Sequence, residues 1–132
     1  MPLSIFSTLP DETEALIERV IGAAIEVHRR LGPGFLESIY LRAMCIELAA
    51  NSIPFECERP ITVTYRDTPI SGQRVDLIVA NSLILELKAV SRMDPVFQAK
   101  LISYLRTTGI RAGLLINFNL PLLKEGIKRV VV

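Results

Sequence analysis

Between Asp11 and Gly32 the apolar residues of DETEALIERVIGAAIEVHRRLG return every three or four positions, at Leu16, Ile17, Val20, Ile21, Ala24, Ile25 and Leu31. That spacing predicts an amphipathic helix. Asp11 and Glu14 stand at its start in capping-box spacing, and Gly32-Pro33-Gly34 ends it. A second helix is predicted over LESIYLRAMCIELAANS, where Ile39, Met44 and Leu48 can share a buried stripe and Asn51 begins the exit. The pattern then changes from helical to alternating. ITVTYRD, QRVDLIVA and LILELKAV, divided by turn signals at Asp67 to Gly72 and at Asn81-Ser82, predict a three-stranded antiparallel meander. DPVFQAKLISYLRTTG restores helical spacing, with Asp94 placed to cap, Pro95 at the first helical position and Gly109 as the stop. AGLLINF is a continuous apolar run, as in a strand covered on both faces, and IKRVVV is a candidate final strand. The expected class is α/β, an α+β mixed sheet of order α-α-β-β-β-α-β-β in one domain over residues 1–132, with residues 1–10 a poorly ordered N-terminal segment.

The exception to this apolar logic is LILELKAV, which carries Glu86 and Lys88 in the middle of a strand bound for the core. Residues two apart on a strand share a face, so Ile84, Glu86 and Lys88 point one way and Leu83, Leu85 and Leu87 the other. On the preceding strand Asp76 shares a face with Ile78, opposite Val75, Leu77 and Val79. Bringing Asp76 opposite Glu86 requires an odd loop centred on Asn81, Ala80-Asn81-Ser82, because a two-residue Asn-Ser turn would put Asp76 on the wrong face. Two carboxylates and an ammonium on adjoining strands suit a hard, oxygen-seeking cation such as Mg²⁺, with a lysine beside it to orient or deprotonate a bound water. The alternative is a solvent-facing strand with ordinary surface charges.

Composition narrows the possibilities further. The chain of 132 residues is half apolar, enough to close a core, and its 15 Lys and Arg against 14 Asp and Glu give no global positive field to attract nucleic acid. The charge is unevenly spread: residues 1–85 hold seven basic and eleven acidic side chains, whereas residues 86–132 hold eight basic and three acidic. Cys45 and Cys57, twelve apart with no second pair, match neither a zinc spacing nor a disulfide framework and are expected to be reduced. The opening MPLSIFSTLP lacks a basic stretch and a long apolar run, so neither a signal peptide nor a membrane span is expected, and the expected location is the cytoplasm. His28 near a helix end is expected to be structural. The terminal Val130-Val131-Val132 suits either the core or a sheet-edge contact in a homodimer.

AIEVHRRLGPGFLESIY, RVDLIVA, LILELKAV, ISYLRTTG and LLINFNLPLLKEGIKR together resemble the GxxExxY proteins, a family named for the pattern formed here by Gly34, Glu37 and Tyr40. That family is grouped with the PD-(D/E)XK nuclease superfamily, so the resemblance implies a restriction-endonuclease-like core. It also implies a metal site made from an acidic residue on an early helix, an Asp on the second core strand and a Glu-x-Lys on the third. These fall on Glu37, Asp76, Glu86 and Lys88. The implied roles are Asp76 and Glu86 as direct Mg²⁺ ligands (Mn²⁺ as surrogate), the carbonyl of Leu87 completing the set, and Glu37 acting through water or a second ion. Lys88 would hold the attacking water, with Glu86 beside it setting its charge state. Gly34 would allow close approach of its loop, and Tyr40, one turn beyond Glu37, is a candidate to hydrogen-bond a carboxylate or phosphate or else a core aromatic.

The implied partner is nucleic acid, DNA or RNA, and the implied reaction is phosphodiester hydrolysis. Related nucleases often carry a glutamine four residues before a tyrosine on the next helix; here that slot is Lys100 ahead of Tyr104, both candidate substrate contacts. Gln98 is two positions early, about 200° around a helix, and cannot substitute directly. This departure keeps a second expectation in view: a catalytically degenerate module of the same fold that binds nucleic acid or a protein partner.

Overall fold

The computed structural model describes residues 8–132, so residues 1–7 of the expected N-terminal segment lie outside the described residues. The next two are anchored: Leu9 is buried, and Arg111 donates to the carbonyl and the hydroxyl of Thr8, each at 2.9 Å. The elements are α1 (Asp11–Leu31), α2 (Glu37–Ala50), β1 (Phe55–Tyr65), β2 (Thr68–Val79), β3 (Leu83–Lys88), α3 (Pro95–Thr108), β4 (Ala112–Asn117) and β5 (Ile127–Val131), with a short 3₁₀ turn at Leu123–Gly126. The strands form one sheet in the order β1-β2-β3-β4-β5. β1, β2 and β3 make the expected antiparallel meander, α3 returns the chain so that β4 runs parallel to β3, and β5 pairs antiparallel to β4.

Helices cover both faces of the sheet. Against one face, Val20, Ala24 and Val27 of α1 and Tyr40, Met44 and Leu48 of α2 pack on Leu77, Leu85, Leu87, Leu114 and Ile116. Against the other, Leu101, Tyr104 and Leu105 of α3 pack on Ile61, Val75, Ile78, Ile84, Leu115 and Val130. β3 and β4 lie between these layers, which explains their continuous apolar sequences. Asp94 caps α3 by accepting from the Val96 amide at 2.9 Å, Pro95 follows at the first position, and Gly109 ends the helix at φ 77°.

Several expectations are corrected. The residue preceding α1 is Pro10, and no side chain caps the helix; Glu14 instead forms an ion pair with Arg129 of β5. Ile25 is 45% exposed, at the margin of its apolar stripe. In α2 the buried stripe is Tyr40, Met44 and Leu48, four residues apart, whereas Ile39 is 43% exposed. Ile39 and Met44, five apart, lie about 140° apart around a helix and cannot share one face. β1 begins at Phe55 rather than Ile61, since an edge strand tolerates Pro60. The first hairpin turns tightly at Arg66-Asp67, joining Tyr65 to its partner Thr68. Gly72 is not part of that turn: at φ 115° it lies where the register between β1 and β2 shifts by one residue, so its role is a bulge.

Two glycines are required for close packing. A Cβ on Gly113 would lie 2.8 Å from a methyl of Leu101, and one on Gly126 would collide with the carbonyl of Asn117. Gly113→Ala should cost about 1–3 kcal/mol in urea unfolding. Gly126→Ala should cost more, because its obstacle is backbone and cannot rotate away.

Candidate active site

The β2–β3 hairpin has the register the carboxylates need. Leu77 lies opposite Leu85, Ile78 opposite Ile84 and Val79 opposite Leu83, which leaves Ala80-Asn81-Ser82 as the three-residue loop and carries Asp76 to the level of Glu86. Ala80 and Asn81 accept φ of 50° and 55° to close it. The Asp76 amide donates to Glu86 Oε1 at 3.2 Å, and the Leu87 amide donates to Asp76 Oδ2 at 2.8 Å. Each carboxylate is thereby held by the other strand's backbone. The expected division of faces on β2 holds from Asp76 onward but not before it. Val75 joins the α3-side cluster, because the β1–β2 ladder has no paired residues at Glu58 and Asp76, where Glu58 sits at φ 50°.

Glu86 is 8% exposed, on a strand whose other residues are apolar up to Lys88. Burial, and next the charge of Asp76, push its carboxyl up to about 8 against the opposing pull of the Asp76 amide and Lys88. Burial likewise raises Asp76, although the Leu87 amide, Lys88 and a hydrogen bond from Glu86 oppose the rise. Both carboxyls are therefore raised, chiefly by burial, and Glu86 binds its proton more tightly than an ordinary carboxyl. Lys88 rests its Nζ 4.4 Å from the centre of the Phe97 ring on α3, a contact that fixes its direction without neutralising it. Glu37, at the first position of α2, is close enough to be raised by Asp76 and lowered by Lys88, although burial is the larger influence. All four expected charged residues are thus brought into one electrostatic cluster by three separate elements.

The remaining expected residues divide. Tyr104 faces the cluster: burial, then Glu86 and Asp76, raise its hydroxyl, which accepts from Gln73 Nε2 at 2.9 Å. Lys100 is exposed one turn earlier on α3. Gln98 points elsewhere, into a cavity of about 440 Å³ lined with Asn117, Glu125 and Lys128. Tyr40 is fully buried and stacked on Phe118 with ring centres 4.6 Å apart; its hydroxyl donates to Gly32 O at 2.5 Å and accepts from the Phe35 amide at 3.2 Å. Those bonds assign Tyr40 to the support of the loop before Glu37, where Gly34 takes φ 108°, and correct the expectation of a substrate contact. His28 is structural, with Nε2 2.7 Å from the Leu120 carbonyl. Cys45 and Cys57 are free thiols that meet across α2 and β1, and burial together with Cys57 pushes Cys45 up to about 12.

Three supporting residues were not singled out from the sequence. Gln73 positions Tyr104, Phe97 underlies Lys88, and Asn117, buried at the end of β4, clamps Val90 through both its amide and its carbonyl. Only Asn117 left a hint, as the single polar residue in AGLLINF.

Among the described residues no three His, Cys, Asp or Glu side chains converge closely enough to hold an ion by themselves. The donors at hand are two carboxylates and the peptide of Leu87, all hard oxygens. This set fits Mg²⁺ with water completing its shell and does not fit a softer metal.

A mixed sheet with a carboxylate pair and a lysine across its central hairpin defines the class of restriction-endonuclease-like folds. The family model of the PD-(D/E)XK nuclease superfamily matches residues 14–130, and the chain belongs to that superfamily. No curated protein and no solved structure matches significantly. Among the described residues, no helix is long and apolar enough to cross a membrane.

The raised Glu86 carboxyl has a thermodynamic consequence. The folded chain binds this proton more tightly than the unfolded chain, so its contribution to stability is present below the ordinary value of 4.5 and is lost as pH rises through about 8. In a chelator, the urea midpoint of the wild type should fall between about pH 5 and about pH 9. Glu86→Gln, which cannot ionise, should flatten that fall.

Proposed function

We propose that the chain is a metal-dependent nuclease that hydrolyses phosphodiester bonds of DNA or RNA. The observation that carries this reading is the convergence of Asp76, Glu86 and Lys88 on a buried hairpin, at a cost in carboxylate repulsion that nothing in the packing requires. A stable core would be better served by an apolar residue at Glu86. Superfamily membership supports the same reading.

Asp76, Glu86 and the Leu87 carbonyl would hold Mg²⁺, which when bound polarises the scissile phosphate and lowers the pKa of a water. Lys88 directs a positive charge at the attacking water and at the phosphoryl oxygens as their charge grows. Its preorganisation over Phe97 reduces the rearrangement needed at the moment of reaction. Glu37, at the start of α2, would help hold that water or a second ion. Tyr104, held by Gln73, lies where its hydroxyl can meet a phosphate or a bound water, and Lys100 one turn away is placed to contact the strand outside the centre.

The exposed Lys100, standing where related nucleases often carry glutamine, favours a second reading, a non-catalytic module that binds nucleic acid or a protein partner. Cleavage of single- and double-stranded DNA and RNA in Mg²⁺ separates the two. The nuclease reading expects the wild type to cut at least one substrate, and Lys88→Ala and Asp76→Asn each to lower the rate by about 100-fold or more. Nucleic-acid binding without cleavage in any arm would replace it with the module.

A further inference from the structure

β2 is twice as long as the strand it pairs with in the core. Its pairing with β3 is at Leu77–Val79, and extending that register brings Arg74 level with Lys88, where β3 ends. From Gln73 back to Thr68, β2 has only β1 for a neighbour. Every residue from Thr62 to Arg74 is exposed, and the exposed set includes Val63 at 40%, Tyr65 at 64% and Ile70 at 51%. A two-stranded hairpin is marginal in water without a surface to pack on. This one is tethered at its base by Gln73, which reaches the Tyr104 hydroxyl.

The tip adds a second observation. Arg66 and Asp67 occupy the two turn positions at φ 48° and 63°, a conformation that favours Asn and Gly and penalises a long side chain. An arginine kept in that conformation is a strained residue at an exposed tip.

We propose that residues 60–74 form an arm that grips the nucleic-acid strand flanking the scissile bond; this deepens the nuclease reading and rests on it. Charge and continuity identify the occupant. From Thr62 to Arg74 the arm carries Arg66 and Arg74 against Asp67, and its remaining polar residues are uncharged, including Thr62, Thr64, Thr68 and Ser71. The acidic Glu56 and Glu58 lie nearer the sheet, and Glu56 is paired with Arg59. The same β2 strand that forms the arm continues directly into Asp76, so a strand bound at the metal centre is led along it. Arg66 and Arg74 supply guanidinium groups for phosphates, and Tyr65 supplies an exposed ring on which a base or sugar stacks. Asp76 is eight positions beyond Thr68, an upper reach of about 26 Å or roughly eight stacked base steps.

The test measures binding of labelled single- and double-stranded DNA and RNA of about 30 nucleotides, longer than this reach on either side. Ca²⁺ replaces Mg²⁺ to prevent cleavage, and the proteins are the wild type, Tyr65→Ala and Arg66→Asn. The arm expects Tyr65→Ala to weaken binding by about tenfold or more. It expects Arg66→Asn to weaken binding and to reduce the salt dependence by about one released counterion, while its melting temperature is unchanged or higher by about 2–4 °C through relief of the strained turn. That opposition of stability and affinity excludes misfolding as the cause. Undiminished affinity in both variants would overturn the arm and leave the nuclease reading standing. No binding of any of the four probes by the wild type would overturn the nuclease reading itself. A dimer that Val63→Ser and Ile70→Ser convert to monomer, with nucleic-acid affinity unchanged, would overturn the arm in favour of a second copy of the chain.

Discussion

The repulsion between Asp76 and Glu86 is the constraint around which the rest of this structure is arranged. On neighbouring strands, burial raises the proton affinity of both carboxyls, and the charge of Asp76 raises that of the almost wholly buried Glu86 further. The loop Ala80-Asn81-Ser82 fixes the register, and one residue more or fewer would turn one carboxylate to the opposite face. The two backbone amides that bind the pair offset only part of the electrostatic cost. Lys88 then faces a negative centre while remaining braced on Phe97, and Glu37 enters the same field from a different helix.

The surrounding elements can be understood as support for this hairpin. β3 and β4 are buried on both sides because α1 and α2 cover one face and α3 the other, so the carboxylates sit at the end of a rigid strand rather than on a loop. Tyr40 spends its hydroxyl on the turn at Gly32 and Phe35, which fixes where α2 begins and therefore where Glu37 points. Asn117 similarly ties the chain leaving β3 to the end of β4, next to Lys88. Neither residue needs to touch a substrate to matter for the site.

Local period makes much of this legible in the sequence alone. The alternation in LILELKAV and QRVDLIVA placed Glu86, Lys88 and Asp76 on one side, and turn parity alone implied the three-residue loop. Asp94, Pro95 and Gly109 marked the ends of α3 through their own backbone preferences. What was not legible depended on contacts distant in sequence. Glu14 has capping-box spacing, yet its partner Arg129 lies 115 residues away. Gly72 resembles a turn residue but serves a bulge, since the choice between the two rests on the partner strand's register. Gln73 and Phe97 carry no motif and acquire their roles only when α3 lies across the sheet.

The central claim is that the strained carboxylate pair is arranged for a divalent cation, and a thermal melt with and without Mg²⁺ at about pH 8 tests it most directly, because a ligand bound only by the folded state raises the melting temperature. The account predicts a clear rise with Mg²⁺ in the wild type and little or none in Asp76→Ala or Glu86→Ala. Equal melting temperatures for the wild type with and without Mg²⁺ or Mn²⁺, at concentrations that saturate ordinary carboxylate sites, would contradict it.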